Sequence, residues 1–298
     1  MASTLAVLTV VPALFAVAAV VRAGRALQGT SLLLAWGWAL AATLAIALTW
    51  LMTGITQTIS SPWDDMLWYG VAELLLCPQI AVLGARRPGV AVWNWFVLLP
   101  LLAVLGWPVA AAALAGARPG SFTLETPPLV GLLLVLLMGT GNYAGTRFRL
   151  PFTLLVPCSV VLILISLKST SVLTPAAARM LAVWCVGAAA AIAWRTARRP
   201  GPVPTGPDRV WHDFRDRFGI VWAQRVRERI NERGTLENWP VQLERNGFVA
   251  QAGEAAGDVS AADPRIEHTL RWLLRRFVDE PWLNDRLGTQ PPSSDAFT

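Results

Sequence analysis

The stretch TLAVLTVVPALFAVAAVVR, residues 4–22, decides how the chain is threaded. It is apolar over nearly the length that a helix needs to cross the hydrocarbon core of a bilayer, about 20 residues. Read as a cleaved export signal it removes one span; read as a retained helix it sets the side on which every later loop falls. A secretory signal carries its positive charge ahead of the apolar run. Here MASTLAVLTV has no basic residue, and Arg22 and Arg25 come after the run. The order predicts a retained first helix with its N-terminus outside.

Further segments of the same kind fall at 31–53, 66–85, 91–115, 128–146, 150–168 and 176–195, so seven spans are expected. Lys and Arg accumulate in short cytoplasmic loops. Alternate connections carry nine basic residues (Arg22, Arg25, Arg86, Arg87, Arg147, Arg149, Arg195, Arg198, Arg199) against three (Arg118, Lys168, Arg179). This places the C-terminal part in the cytoplasm. Trp63, Trp68, Trp93, Trp95 and Trp194 lie near span ends, as interfacial aromatic belts require.

Composition divides the chain the same way. Residues 1–194 hold nine basic and four acidic side chains; residues 195–298 hold the remaining 16 and 15. The net charge of +6 is therefore 5 from the apolar part and 1 from the tail, which excludes a basic nucleic-acid surface as its source. Cys77, Cys158 and Cys185 lie in apolar runs and behave as small hydrophobes. Both histidines, His212 and His268, are in the tail, so the bundle has no imidazole for haem, copper or zinc, and no metal or cofactor is expected. Protease, lipase and transferase signatures are missing, and no enzymatic activity is expected.

The polar side chains inside the spans are the candidate site. Asp65, Tyr69, Glu73 and Cys77 recur every four residues and form one stripe on the third helix, with Glu73 roughly 10 Å deep. An ionised carboxylate there costs several kcal/mol unless it is paired. Candidate partners are Lys168, Arg179, Asn94 and Asn142; Asp64 and Asp65 read as a solvated loop end. The stripe with Lys168 is thus a candidate proton relay or ligand site, against a structural ion pair that fixes helix register. A retinal Schiff base is excluded, since Lys168 is near the surface of the sixth helix and the seventh has no lysine. Pro78, Pro100, Pro108 and Pro157 fall within spans and predict kinks. GTGNYAG, with Gly141 and Gly145 four apart, reads as a small-residue contact face.

A Pro- and Gly-rich linker at 196–207 leads to a tail domain at 208–287, followed by a disordered end at 288–298. A helix is expected over 208–232, bent at Gly219, with Trp211, Phe214, Phe218, Val221 and Trp222 on its apolar face. A hairpin around Asn246-Gly247, a flexible loop AGEAAGDVSAAD and a helix over 263–280 complete it. His212 and His268 read as solvated or capping. So small a core is marginal alone, so the tail is expected to dock on the cytoplasmic loops or on a partner protein.

LLLCPQIAVLGARRPG with WNWFV, then NYAGTRFRLP, then WHDFRDRFGIVWAQRVRERIN, resembles bacterial multi-pass membrane proteins with a cytoplasmic C-terminal tail and no assigned activity. The resemblance implies an inner-membrane, all-α protein: a seven-transmembrane-helix bundle with a small α and β-hairpin domain. It carries over no catalytic residue. The expected function is a non-enzymatic scaffold or regulatory component in the lipid bilayer; a small proton- or cation-linked permease using the Glu73 stripe is the alternative.

Overall fold

The computed structural model describes residues 2–59, 63–116, 122, 124–166, 174–199, 205–250 and 264–288. They form a mostly helical protein with one short hairpin. Helices α1 (Ala2–Leu8) and α2 (Val10–Ala26) make one rod interrupted at Thr9. Helix α3 (Leu33–Trp50) returns beside it and ends in a π-helical turn, Leu51–Ile55. Two indoles staple the pair: Trp36 donates to Val20 O at 2.7 Å and Trp50 to Ala6 O at 3.1 Å. In an apolar medium each such N–H must find an acceptor, so the tryptophans choose the register.

Helix α4 (Trp63–Leu83) is the central element and packs on α3, on α8 (Thr126–Tyr143) and on α9 (Arg149–Ser166). Its Gln79 side chain lies where a methyl on Gly139 of α8 would stand, 1.7 Å from Oε1. The close-contact glycine is therefore Gly139. Gly141 faces open space and Gly145 meets Arg245 and Ile220, which corrects the contact face expected from GTGNYAG. Helix α10 (Pro175–Arg198) closes the bundle against α2 and α9; Thr174 caps it by accepting from Ala177 N. It continues three residues into the segment expected to be linker.

The segment expected as the fourth span is broken. α5 (Val90–Trp93), a π-helical turn (Asn94–Leu98) and α6 (Leu99–Leu105) are followed, after Gly106, by α7 (Trp107–Leu114) at a bend of 50°. Pro108 stands in the first turn of α7, where its missing N–H costs nothing. Pro100 instead follows the π-helical turn, whose wider spacing absorbs the missing donor. Pro78 and Pro157 lie inside helices that run unbroken. Of the four expected kinks, Pro108 alone sits at a break.

Among the described residues five helices are long and apolar enough to cross a membrane; the bent α5–α7 pair, counted as one span, would make a sixth, and α9 has a shorter apolar stretch, Arg149–Leu164. Leu14, Leu48, Phe96, Leu114 and Leu137 expose their side chains on the outside of the bundle. An apolar outer face of this kind is unusual for a molecule in water.

The C-terminal module begins with α11 (Pro207–Leu236), continues through β1 (Val241–Glu244) and β2 (Gly247–Ala250), and ends with α12 (Pro264–Leu274) and α13 (Glu280–Leu287). Glu244 pairs with Gly247, so the turn residues are Arg245 and Asn246, and Gly247, with φ 127°, opens the second strand. The helix expected over 263–280 stops six residues early. Its apolar periodicity runs on to Phe277, but the backbone of 276–279 is used elsewhere: Arg87 N donates to Arg276 O, Ser31 N to Phe277 O and Asp279 N to Gly29 O, each at 2.8 Å. Thr30 pairs with Val278 as an antiparallel bridge. Tertiary hydrogen bonds outbid the helix, and Pro281 starts a new one. The expected flexible loop and chain end, and Lys168, lie outside the described residues.

Bundle and module share one core. Cys77, Ile80, Leu98 and Tyr143 join Phe214, Phe218, Trp222 and Phe277 in a single buried cluster. The docking expected from the small size of the tail is thus made to this chain's own loops.

Candidate functional site

Three of the four stripe residues are brought together as expected. Tyr69, Glu73 and Cys77 are buried on one face of α4. Tyr69 donates its hydroxyl to Leu105 O at 2.7 Å. That carbonyl belongs to the last turn of α6, where the break leaves it without an intrahelical partner. A methyl placed on Gly106 would stand 3.4 Å from Glu73 Oε2, so the carboxyl lies directly against the broken helix. Oε1 is buried and has no hydrogen-bond partner among the described residues. The same is true of both polar atoms of Gln79 and of the hydroxyls of Thr140 and Ser159, on the adjoining faces of α4, α8 and α9.

Asp65 does not belong to this group. It accepts from Arg179 Nη2 at 2.8 Å, and Asp64 accepts from Nη1 of the same guanidinium. The paired aspartates are therefore the partly buried anchor of α10 on α4, which corrects both the solvated loop end and the assignment of Arg179 to Glu73. Arg179→Gln is expected to lower the midpoint of thermal unfolding of the purified protein by several degrees, since it strands two carboxylates, with Asp64→Asn/Asp65→Asn restoring part of the loss. Equal melting of wild type and Arg179→Gln would overturn this. Asn94 takes the Trp38 indole at 2.8 Å and donates to Val90 O; Asn142 binds the module. None of these expected partners meets Glu73.

The contact between bundle and module was not foreseen in detail. At Gly219 (φ 80°, ψ 176°) α11 leaves helical geometry, and the Asn142 side chain fills the gap. Asn142 Oδ1 accepts from Val221 N at 3.0 Å, and its amide donates to Phe218 O at 3.4 Å. Tyr143 donates to Arg217 O at 3.0 Å, and the Trp222 indole to Val82 O at 3.0 Å. A buried ionic cluster lies beside them. Asp213 meets Arg286 at 2.8 Å, Arg217 at 3.2 Å, Arg209 at 3.3 Å and Arg147 at 3.7 Å; Asp216 meets Arg147 at 3.1 Å. Arg147, in the turn between α8 and α9, thereby ties bundle to module. Burial alone would raise the Asp213 carboxyl, but the surrounding guanidinium groups outweigh it and hold it below its ordinary value. Burial and the like charge of Arg286 lower Arg217 to about 10. His212 is buried, correcting its solvated reading; burial, then Arg215, lowers its pKa.

A groove of about 900 Å3 opens between the second half of α11 and α12, with Arg86 of the bundle at one end. Five arginines (Arg86, Arg225, Arg229, Arg233, Arg276) line it against Glu228 and Glu232. Trp272 is 53% exposed on its wall and Leu236 74%. The wall opposite the α11 arginines is supplied by α12. Comparison with protein families, with curated proteins and with solved structures found no match.

Proposed function

We propose that the chain is a bacterial inner-membrane protein of seven spans, N-terminus outside, whose cytoplasmic module is a fixed docking platform for an acidic, amphipathic segment of a partner protein. It acts as a scaffold or regulatory component and not as an enzyme. In this reading the bent α5–α7 pair is the fourth span and α9, whose apolar stretch is short by itself, is the sixth, with α10 the seventh. The apolar outer face of the bundle and the basic bias of alternate loops support the placement.

The groove carries the functional reading. Its arginines exceed its acids by five to two, and it holds a half-exposed tryptophan, the kind of residue on which interfaces concentrate binding energy. The module does not swing on a tether: its core and its ion pairs are shared with the bundle, so a partner bound there is held at a set height over the membrane. Held rigidly, the platform costs a partner less ordering on binding.

Photo-crosslinking from position 272 in native membranes, with the captured protein identified and purified, tests this. Charge reversal by Arg229→Glu/Arg276→Glu is expected to weaken that partner's binding at least tenfold, and Trp272→Ala by a similar factor, about 1.4 kcal/mol each. Raising the salt concentration is expected to weaken the wild-type complex. Binding that ignores both the charge reversal and the salt rejects the platform.

A further inference from the structure

We propose that Glu73 is a proton-exchange site inside the bundle, formed at the break between α6 and α7 and coupled to that break through the Tyr69 hydroxyl. This goes beyond the docking platform and rests only on the bilayer placement of the bundle. Glu73 is 8% exposed and its Oε1 has no partner among the described residues, an arrangement too costly for a residue that only fixes register. The chain bends by 50° at Gly106, where an added methyl would stand 3.4 Å from Oε2, and α7 starts at the next residue, so the positive end of that helix lies near the carboxyl. Discontinuous helices with buried acids at the break are one way in which membrane proteins build ion sites.

The coupling follows from counting protons. Tyr69 has one to give, and it goes to Leu105 O. What Tyr69 then offers Glu73 is a lone pair, to which a neutral carboxyl can donate. When Glu73 releases its proton it becomes an acceptor only; the Tyr69 hydroxyl turns to it, and Leu105 O loses its donor at the break. One proton leaves and one hydrogen bond moves, so loading of Glu73 and the state of the α6–α7 hinge are linked.

A proton fits this site better than a metal cation. The break offers one carboxyl, the Tyr69 hydroxyl and one carbonyl already in use, whereas a bare calcium or magnesium ion takes about six or more oxygens. The titratable groups next to Glu73 are Tyr69 and Cys77 of its own helix. Elements α3, α6 and α7 contribute none; Tyr143 of α8 is bonded to Arg217 O, and Cys158 of α9 to Ala182 O. Asp64 and Asp65 are paired with Arg179 of α10 at the end of α4, and Arg149 stands at the start of α9. Asp213, Asp216 and Arg217 of α11 belong to the cluster beyond the other end.

Infrared difference spectroscopy on the full chain, in detergent and in lipid nanodiscs, reads the exchange directly. Between about pH 4 and about pH 10 the carbonyl stretch of a protonated carboxyl is expected to titrate, and to be missing in Glu73→Gln. Tyr69→Phe is expected to move its midpoint by a factor of about ten in proton affinity, whereas a merely structural tyrosine leaves it in place. A wild-type spectrum without a pH-sensitive band that Glu73→Gln removes overturns the site, whatever the variants do. A midpoint unmoved by Tyr69→Phe overturns the coupling. Failure to enter nanodiscs while the detergent spectrum titrates rejects the bilayer placement instead.

Discussion

Gly219→Val releases the module from the bundle. At φ 80° and ψ 176° this residue occupies a region that only glycine enters readily, and a side chain there costs about 1–3 kcal/mol in backbone strain. The Cβ would also stand 2.3 Å from Asn142 Nδ2, so the Asn142 side chain is driven out of the gap. With it go the bonds to Val221 N and Phe218 O, each leaving a backbone group unpaired at about 1–3 kcal/mol. Together these exceed about 3 kcal/mol, enough to shift a docking equilibrium more than a hundredfold. Hydrogen exchange is the measurement: amides from Val221 to Ile230 lose protection in the variant, while those of α4 and α10 keep theirs. Adding Asn142→Gly removes the overlap and leaves the strain, so it restores part of the protection. Wild-type exchange in Gly219→Val contradicts the interlock.

Why this interlock escaped the sequence is instructive. Gly219 reads as a local bend, where the structure does leave helical geometry, and Asn142 as a partner for Glu73, which it does not meet. What joins them is a side chain from one segment bonding to the backbone of another, and a backbone carbonyl such as Phe218 O or Val82 O has no signature in the sequence. The apolar helices, by contrast, were legible because their length is imposed by composition alone. So was the Tyr69–Glu73–Cys77 face, because a period of four residues on a helix is geometry.

Errors arose where a second segment competed for the same groups. Asp64 and Asp65 looked solvated because their partner, Arg179, lies far along the chain. The apolar period through Phe277 called for a longer helix, and the loops at Gly29, Ser31 and Arg87 took its carbonyls and amides instead. Proline was read as a kink wherever it fell. At Pro78 the helical assignment of α4, packed on three helices, continues without a break, whereas at Pro108 a new helix begins. The break at Gly106 falls against Glu73, the one fully buried carboxyl of the bundle among the described residues.

Asp213→Asn is expected to have the second large effect, because it keeps the shape and removes the charge. Asp213 is the hub of the ionic cluster, with its side chain 4% exposed, and without it Arg217, Arg286 and Arg147 face one another in a water-poor site. Breaking a buried ion network from one side costs about 3–5 kcal/mol, since the remaining charges keep their desolvation penalty and lose their partner. The acid dependence has a definite sign. The carboxyl is held below its ordinary value in the folded protein, so it favours folding fully above the unfolded value, about pH 4, and that contribution fades as pH falls through the folded value. Denaturant unfolding of the module, followed through the buried Trp211 and Trp222, measures both effects. Wild type loses stability below about pH 4, and Asp213→Asn starts lower and shows a shallower acid slope. Added salt leaves the difference largely intact, because counterions do not reach a buried pair. Replacing Arg217 by methionine in the Asp213→Asn background recovers stability by removing a charge whose ion-pair partner was Asp213, and a double variant no more stable than the single places the anchor of the module elsewhere than in this cluster.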